Sequence, residues 1–536
     1  MRNIAKLGGF VAALVLSLML SMAPHSSAYA QDQTPAATAP AASMPAAMPP
    51  ATTETPAAAP AEAAPAPAAP AAAEAPKPPT SADGEAWLKD QKGAPPYSPG
   101  AMPVGGVSAG DPAAPALNTG DTAWMETSAA LVLMMTIPGL ALFYGGMVRK
   151  KNVLATAMQS FAVTCLVTVL WMVVGYSLAF SWGGKWNPYI GGLNYIMLHG
   201  MTPAVVYNFA PNIPETVLMA FQLTFAIITP ALIAGSFAER MKFTSLLWFM
   251  GLWLLLVYCP IAHMVWYSFD GKAEHSGLLF ALGELDFAGG TVVHMNAGIA
   301  GLMCCLVMGP RKGYNPRGGE QSEAMIPHNI LLSLIGASLL WVGWFGFNAG
   351  SAVGASPLSG SAWANTQVAT GMAGLSWMFT EWLFRGKPTV FGIISGAVAG
   401  LVAITPASGF VALDGALYIG IAVGIVCFLT TAFMKPIFGY DDSLDAFGVH
   451  GIGGFLGAML TGVFAAPAVN SLGTGLLYGN PAQVWIQLKS CGIVGAYDAI
   501  VTLIILFVLR VTVGLRVDEA AEQEGLDLAL HGEQIQ

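Results

Sequence analysis

Charge is scarce in this chain. Of its 536 residues only 10% are Asp, Glu, Lys or Arg, while 55% are hydrophobic. That balance excludes a soluble multi-domain protein and points to a chain that crosses a bilayer repeatedly. Cysteine is sparse as well: Cys165, Cys259, Cys304, Cys305, Cys427 and Cys491 are the full set. None stands in a C-x-x-C pair or a Cys/His cluster, so a thiol metal site or redox motif is excluded and all six read as packing residues. No basic stripe suggests nucleic acid as a partner. No nucleophile–base pair stands out, so the chain does not read as an enzyme, and neither cofactor nor metal is expected.

What is present begins with export. Arg2 and Lys6, an apolar run over 8–22 and Ala28-Tyr29-Ala30 form a signal peptide over 1–30. Residues 31–118 are rich in Ala and Pro and cannot bury a core, so an extended, disordered segment is expected there.

From Asp121 onward the apolar runs predict an all-α polytopic membrane domain over 119–516, with about eleven transmembrane helices. The expected limits are 123–147, 154–182, 215–238, 242–267, 287–309, 326–349, 361–384, 389–406, 413–435, 446–466 and 490–514. Alternate connections carry Arg149, Lys150, Lys151, Arg240, Lys242, Arg311, Lys312, Arg317, Arg385, Lys387, Lys435, Arg510 and Arg516. The opposite connections carry only Lys185, Lys272 and Lys489. The excess of positive charge predicts an external N-terminus and a cytoplasmic tail over 517–536. Grouping the spans as two sets of five plus a final helix suggests an inverted repeat with a site near the midplane.

Two histidines centre this domain. His294 lies eight residues after Asp286 in an apolar helix, about 12 Å along the axis. His450 lies in the glycine-rich stretch 445–460, five residues after Asp445. Ionisable side chains at such depth are costly and mark function by default. The unequal spacings imply depths differing by roughly 10 Å, unless the second span starts below the surface, as Gly448 and Gly451 would permit. Other readings remain open from the residues alone. A lone histidine can be a helix–helix hydrogen bond, Asp286 can be a helix cap, and aromatic clusters can be packing. His294, His450 and Asp286 could instead carry a metal cation. His263 and His328 fall near span ends and read as interfacial.

Taken together, DFAGGTVVH (286–294), the run 220–243, AHMVW (262–266), GWFGFNAGS (343–351) and DAFGVHG (445–451) resemble the ammonium transporters of the Amt/Rh superfamily, on the Amt side. The resemblance covers about 121–531 and implies a homotrimer in a bacterial inner membrane, with one pore per protomer. By that resemblance Trp266 and Ser351 form an outer recruitment site for ammonium, and Phe225 and Phe347 the gate beneath it. His294 and His450 line the pore, while Phe221, Trp344 and Tyr258 shape vestibule and gate. Asp286 and Asp445 give structural support. The segment 267–285 is longer than the family pattern and brings Asp270, Lys272, Glu274 and His275 to the outer mouth.

The tail has six acidic residues and no Lys or Arg, which by itself reads as a solvated end. EGLD (524–527) and HGE (531–533) match the character of family tails. That match implies a docked tail hinged at Gly525, coupling between subunits, and control by a PII-type nitrogen regulatory protein. A sensor signalling through this tail is the alternative, disfavoured by the absence of an appended signalling domain after Arg516.

Overall fold

The computed structural model describes residues 117–535 apart from 204, 208, 209, 319–321, 323 and 324, all of them in the unit Ala75–Gln536. The expected signal peptide, and all but the last two residues of the expected 31–118 segment, lie outside the described residues. Among the described residues the structure is helical, with only isolated β-bridges.

The main helices are α1 (Thr119–Met147), α2 (Lys150–Phe180), α3 (Glu215–Phe237), α4 (Phe243–Trp266), α5 (Gly290–Met308) and α6 (Ile330–Gly350). They continue as α7 (Pro357–Arg385), α8 (Val390–Ile404), α9 (Leu413–Phe438), α10 (Phe447–Phe464) and α11 (Ala482–Thr512). Among the described residues nine of these are long and apolar enough to cross a membrane, all but α7 and α8. The α8 helix has only 15 residues. The longer α7 is threaded with polar groups, including Asn365, Thr366, Thr370 and Glu381, and turns them inward. Asn365, for example, donates to the carbonyls of Ser408 and Val411 at 2.9 and 2.7 Å.

Local chemistry starts these helices. Asn118 caps α1, Asn329 caps α6 and Thr389 caps α8, each side-chain oxygen accepting a first-turn N–H. Ser356 and Ser359 form a reciprocal capping box at α7, with Pro357 at the first helical position. The α11 helix begins eight residues earlier than its apolar run predicts. Its first turns carry Gln483 and Gln487, which point inward and clamp the backbone of 283–285. The outer face of α11 exposes Trp485, Ile500, Phe507 and Val511, an apolar surface suited to lipid rather than water.

The tail is folded, not a free end. Two short helices, α12 (Glu519–Glu524) and α13 (Leu526–His531), are joined at Gly525. Arg516 forks onto Glu522 at 2.8–3.0 Å, and Lys312 donates its backbone N–H to Glu522 and its ammonium to Glu519. Asp527 accepts the backbone N–H groups of Leu154 and Ala155 at 3.1 and 2.7 Å, so a tail residue satisfies the first turns of α2. Leu526 is buried beside Ala155 and Val517. Nearby, Arg311 pairs with Asp441 through both carboxylate oxygens at 2.9 Å. Burial raises the Asp441 carboxyl, but the charges of Arg311 and Arg240 and the Arg311 hydrogen bonds outweigh it and hold it below its ordinary range.

Candidate functional site

The α5 helix starts from a carboxylate. Asp286 Oδ1 accepts the N–H groups of Gly289 and Gly290 at 2.8 and 2.6 Å, and Oδ2 those of Thr291 and Val292 at 2.9 and 3.2 Å. This cap satisfies the orphan donors of the first turn and places the negative charge at the positive end of the helix dipole. The helix opens with a wide π-helical turn, Gly290–Met295, that holds His294.

The second histidine is built the same way, from a different residue than expected. Asp442, not Asp445, starts α10: its carboxylate accepts the N–H groups of Ala446 and Phe447 at 3.1 and 2.8 Å. Burial and the neighbouring Asp445 charge push its carboxyl up to about 6. His450 lies in a matching π-helical turn, Phe447–Gly451. Eight residues now separate each cap from its histidine, so the apparent difference in depth disappears. Asp445 instead pairs with Lys435.

Glycine lets the two helices meet. A Cβ on Gly298 would lie 2.2 Å from the backbone nitrogen of Gly451, and one on Gly454 would lie 2.7 Å from the carbonyl of Gly290. No side chain fits at this crossing. The close approach brings Nδ1 of His294 within 3.3 Å of Nδ1 of His450, with ring centroids 5.3 Å apart. Both imidazoles are buried.

Aromatic rings continue from this pair toward the Trp266 side. His294 stacks on Trp344 at 5.2 Å and lies 5.9 Å from Phe347. The Trp344 indole N–H is fixed by Thr405 Oγ1 at 2.8 Å. Phe347 and Phe225 stack at 4.1 Å, and Phe221 meets Phe225 edge-on at 4.9 Å. Beyond the stacked phenyls opens a cavity of about 150 Å³ lined by Trp266, Ser351, Phe221 and Phe225. The Trp266 indole N–H donates to the Asp286 carbonyl at 3.0 Å, which fixes the ring. Ser351 spends its hydroxyl hydrogen on the Phe347 carbonyl at 2.9 Å, leaving its oxygen lone pairs as acceptors. On the far side of His450 a narrow cavity of about 10 Å³ is lined by Tyr144, Ser395, Asp445 and His450, among others.

Some sequence-predicted residues lie elsewhere. Tyr258 lines neither cavity; it is buried, with its ring 6.2 Å from Trp171. His263 falls in the last turn of α4 and is wholly buried, its ring nitrogens 2.9 and 2.7 Å from the carbonyls of Ala179 and Asn187. The long 267–285 segment closes on itself through Asp270 and His275 at 2.8 Å, and none of its charged side chains lines the cavity. Phe180, Tyr207, Gln222 and Phe287 line that cavity without having been singled out. Phe287 and Gln222 lie inside quoted motifs and were within reach; Phe180 and Tyr207 carry no comparable signal.

The model of the Ammonium Transporter Family matches residues 123–535. An ammonium transporter of Aquifex aeolicus is 51% identical over 78% of this chain and 93% of its own length. One from Bacillus subtilis is 45% identical over 78% and 98%. The crystal structure of Saccharomyces cerevisiae Mep2 superposes with a TM-score of 0.69 at 32% identity, covering 75% of this chain and 88% of that one. The chain therefore belongs to the ammonium transporter family.

Proposed function

We propose that this protein recruits ammonium at the Trp266 side, removes a proton from it and conducts ammonia past the histidine pair. One arrangement carries the reading: a cavity offering an indole and a hydroxyl acceptor, divided by two stacked phenyl rings from two facing, buried imidazoles. An indole face attracts a small cation, and a serine oxygen accepts one of its N–H bonds. Phenyl rings offer no replacement for a hydration shell, so sodium and potassium stop at the gate. Ammonium alone among these cations can shed a proton and continue as a neutral molecule. The facing imidazoles can each donate or accept, and so pass ammonia or a proton along. The metal-carrier alternative loses a ligand, because four backbone N–H groups occupy the Asp286 carboxylate.

In this reading all eleven helices span a bacterial inner membrane as two inverted sets of five plus α11. The Trp266 side faces out, the tail faces the cytoplasm, residues 1–30 are a cleaved signal, and three copies assemble. The matched carboxylate–histidine turns of α5 and α10 support the inverted repeat. A PII-type protein would close the cytoplasmic mouth near Asp445. A sensor role is the second reading, favoured by likeness to a chain described as a sensor Amt protein (TM-score 0.70, 27% identity, covering 77% of this chain and 98% of that one). Cells lacking ammonium uptake test the two: a transporter restores growth on low ammonium and accumulates labelled methylammonium, whereas a pure sensor does neither.

A further inference from the structure

Glu284 stands two residues before the Asp286 cap, buried beside it at 9% exposure. The Thr291 hydroxyl contacts both carboxyl groups, Glu284 Oε1 at 2.7 Å and Asp286 Oδ2 closer still. A hydroxyl has one hydrogen to donate. Asp286 already accepts four backbone N–H groups, the environment of an ionised carboxylate, and so it takes the Thr291 hydrogen as well. The remaining contact then needs a hydrogen on Glu284. Its other oxygen, Oε2, is buried and takes no N–H donor, and the Ser490 hydroxyl lies beside it. A bare carboxylate oxygen in that place would be costly.

We propose that Glu284 is a positioning residue that carries a proton at neutral pH and hydrogen-bonds through the Thr291 hydroxyl to the Asp286 cap. The chain of contacts reaches both parts of the site. Asp286 holds the first turn of the His294 helix through its carboxylate and the Trp266 indole through its carbonyl. With Glu284 neutral the pair carries one negative charge and a complete hydrogen-bond chain. Once Glu284 releases its proton to the aqueous phase, two carboxylates compete for one hydroxyl hydrogen and repel each other. The groups facing Glu284 are Asp286 from its own loop, Thr291 from α5, and Ser490 and Cys491 from α11. Burial first, and the Asp286 charge second, push the Glu284 carboxyl up to about 8. The cap is therefore intact below that pH and weakened above it.

Two measurements test this on the full-length protein. Infrared titration of the purified protein should show a protonated-carboxyl carbonyl band at neutral pH that fades near pH 8 and is missing in Glu284→Gln. Glu284→Ala supplies the same subtraction should the amide fail to fold. The second measurement rests on the transport reading above; the infrared titration does not, so the two can fail separately. Uptake per ammonium ion should fall severalfold in the wild type as pH rises through that range. In Glu284→Gln, which keeps a neutral donor to Thr291, uptake should match the wild type at neutral pH and lose the alkaline fall. A merely structural role would leave the pH profile unmoved. A carboxyl band identical in wild type and variant would overturn the proposal, and so would an alkaline fall unchanged by Glu284→Gln.

Discussion

Nδ1 of His294 and Nδ1 of His450 face each other at 3.3 Å, a separation with room for one hydrogen between them. In the proposed reading the rings act as a unit: one donates, the other accepts, and a proton passed along the pair changes the state of both. His294→Ala and His450→Ala should each slow transport by about tenfold or more, equivalent to about 1.4 kcal/mol of barrier. The double variant should lose far less than the sum of the single losses. Initial uptake rates for all four proteins give the coupling energy directly; strict additivity would mean that the rings act separately.

In the proposed reading the gate and the recruitment site are stacked but distinct, and their variants should differ in kind. Phe347→Ala removes one ring of the 4.1 Å stack with Phe225 and should admit water and potassium. Trp266→Leu removes the indole but keeps the stack, so half-saturation for ammonium should rise while potassium remains excluded. Competition by potassium in uptake assays separates the two. Equal loss of folded protein in both would show these aromatics to be packing.

Gly525 has φ near +113°, and a Cβ there would lie 2.6 Å from both the Cβ and the carbonyl oxygen of Lys151. Gly525→Asp should thus displace α13 and withdraw Asp527 from the first turns of α2, a cap worth about 1 kcal/mol. Transport should fall with membrane abundance unchanged. Limited proteolysis of membranes should cut the tail faster in the variant; equal cleavage and equal uptake would leave the docked tail without a role.

Asp442 holds the start of α10 through two N–H groups. Asp442→Ala leaves both unpaired, the buried Ala446 N–H at a cost of about 1–3 kcal/mol, and should shift His450 away from His294. Asp442→Asn keeps one of the two acceptors, since Ala446 and Phe447 donate to different oxygens, and should fall between the wild type and Asp442→Ala. Asp445→Ala breaks the ion pair with Lys435 and places an alanine in left-handed backbone (φ 59°), and should still be milder than Asp442→Ala. Uptake normalised to folded protein ranks the three, and a larger loss in Asp445→Ala would restore Asp445 as the supporting residue.

The positions of the helices were readable because apolar runs of the right length leave a chain few alternatives in a bilayer. The positions of His294, Phe225 and Phe347 followed from dense local motifs. The cap of α10 was missed because Asp442 is separated from the recognised stretch by Ser443 and Leu444. Only the left-handed backbone at Asp445 (φ 59°) shows why the nearer carboxylate cannot open the helix in its place. Tail docking was legible from the EGLD and HGE segments, but its contacts were not: composition registers acidic charge without its partners, Lys312, Arg516 and the first turns of α2. Glu284 was passed over because one more carboxylate in a loop carries no signal until its neighbours are known.

The central claim is that a cation reaches the gate and a neutral molecule passes the histidine pair. Electrical recording on proteoliposomes, with matched pulses of ammonium, potassium and sodium on the Trp266 side, tests it most directly when internal pH is followed simultaneously. The account predicts uptake with the ammonium pulse alone, slowed in His294→Ala/His450→Ala by little more than in either single variant, and a charge-to-nitrogen ratio that changes in the single variants. Potassium currents of comparable size in the wild type, or an ammonium response unaltered in the double variant, would contradict it.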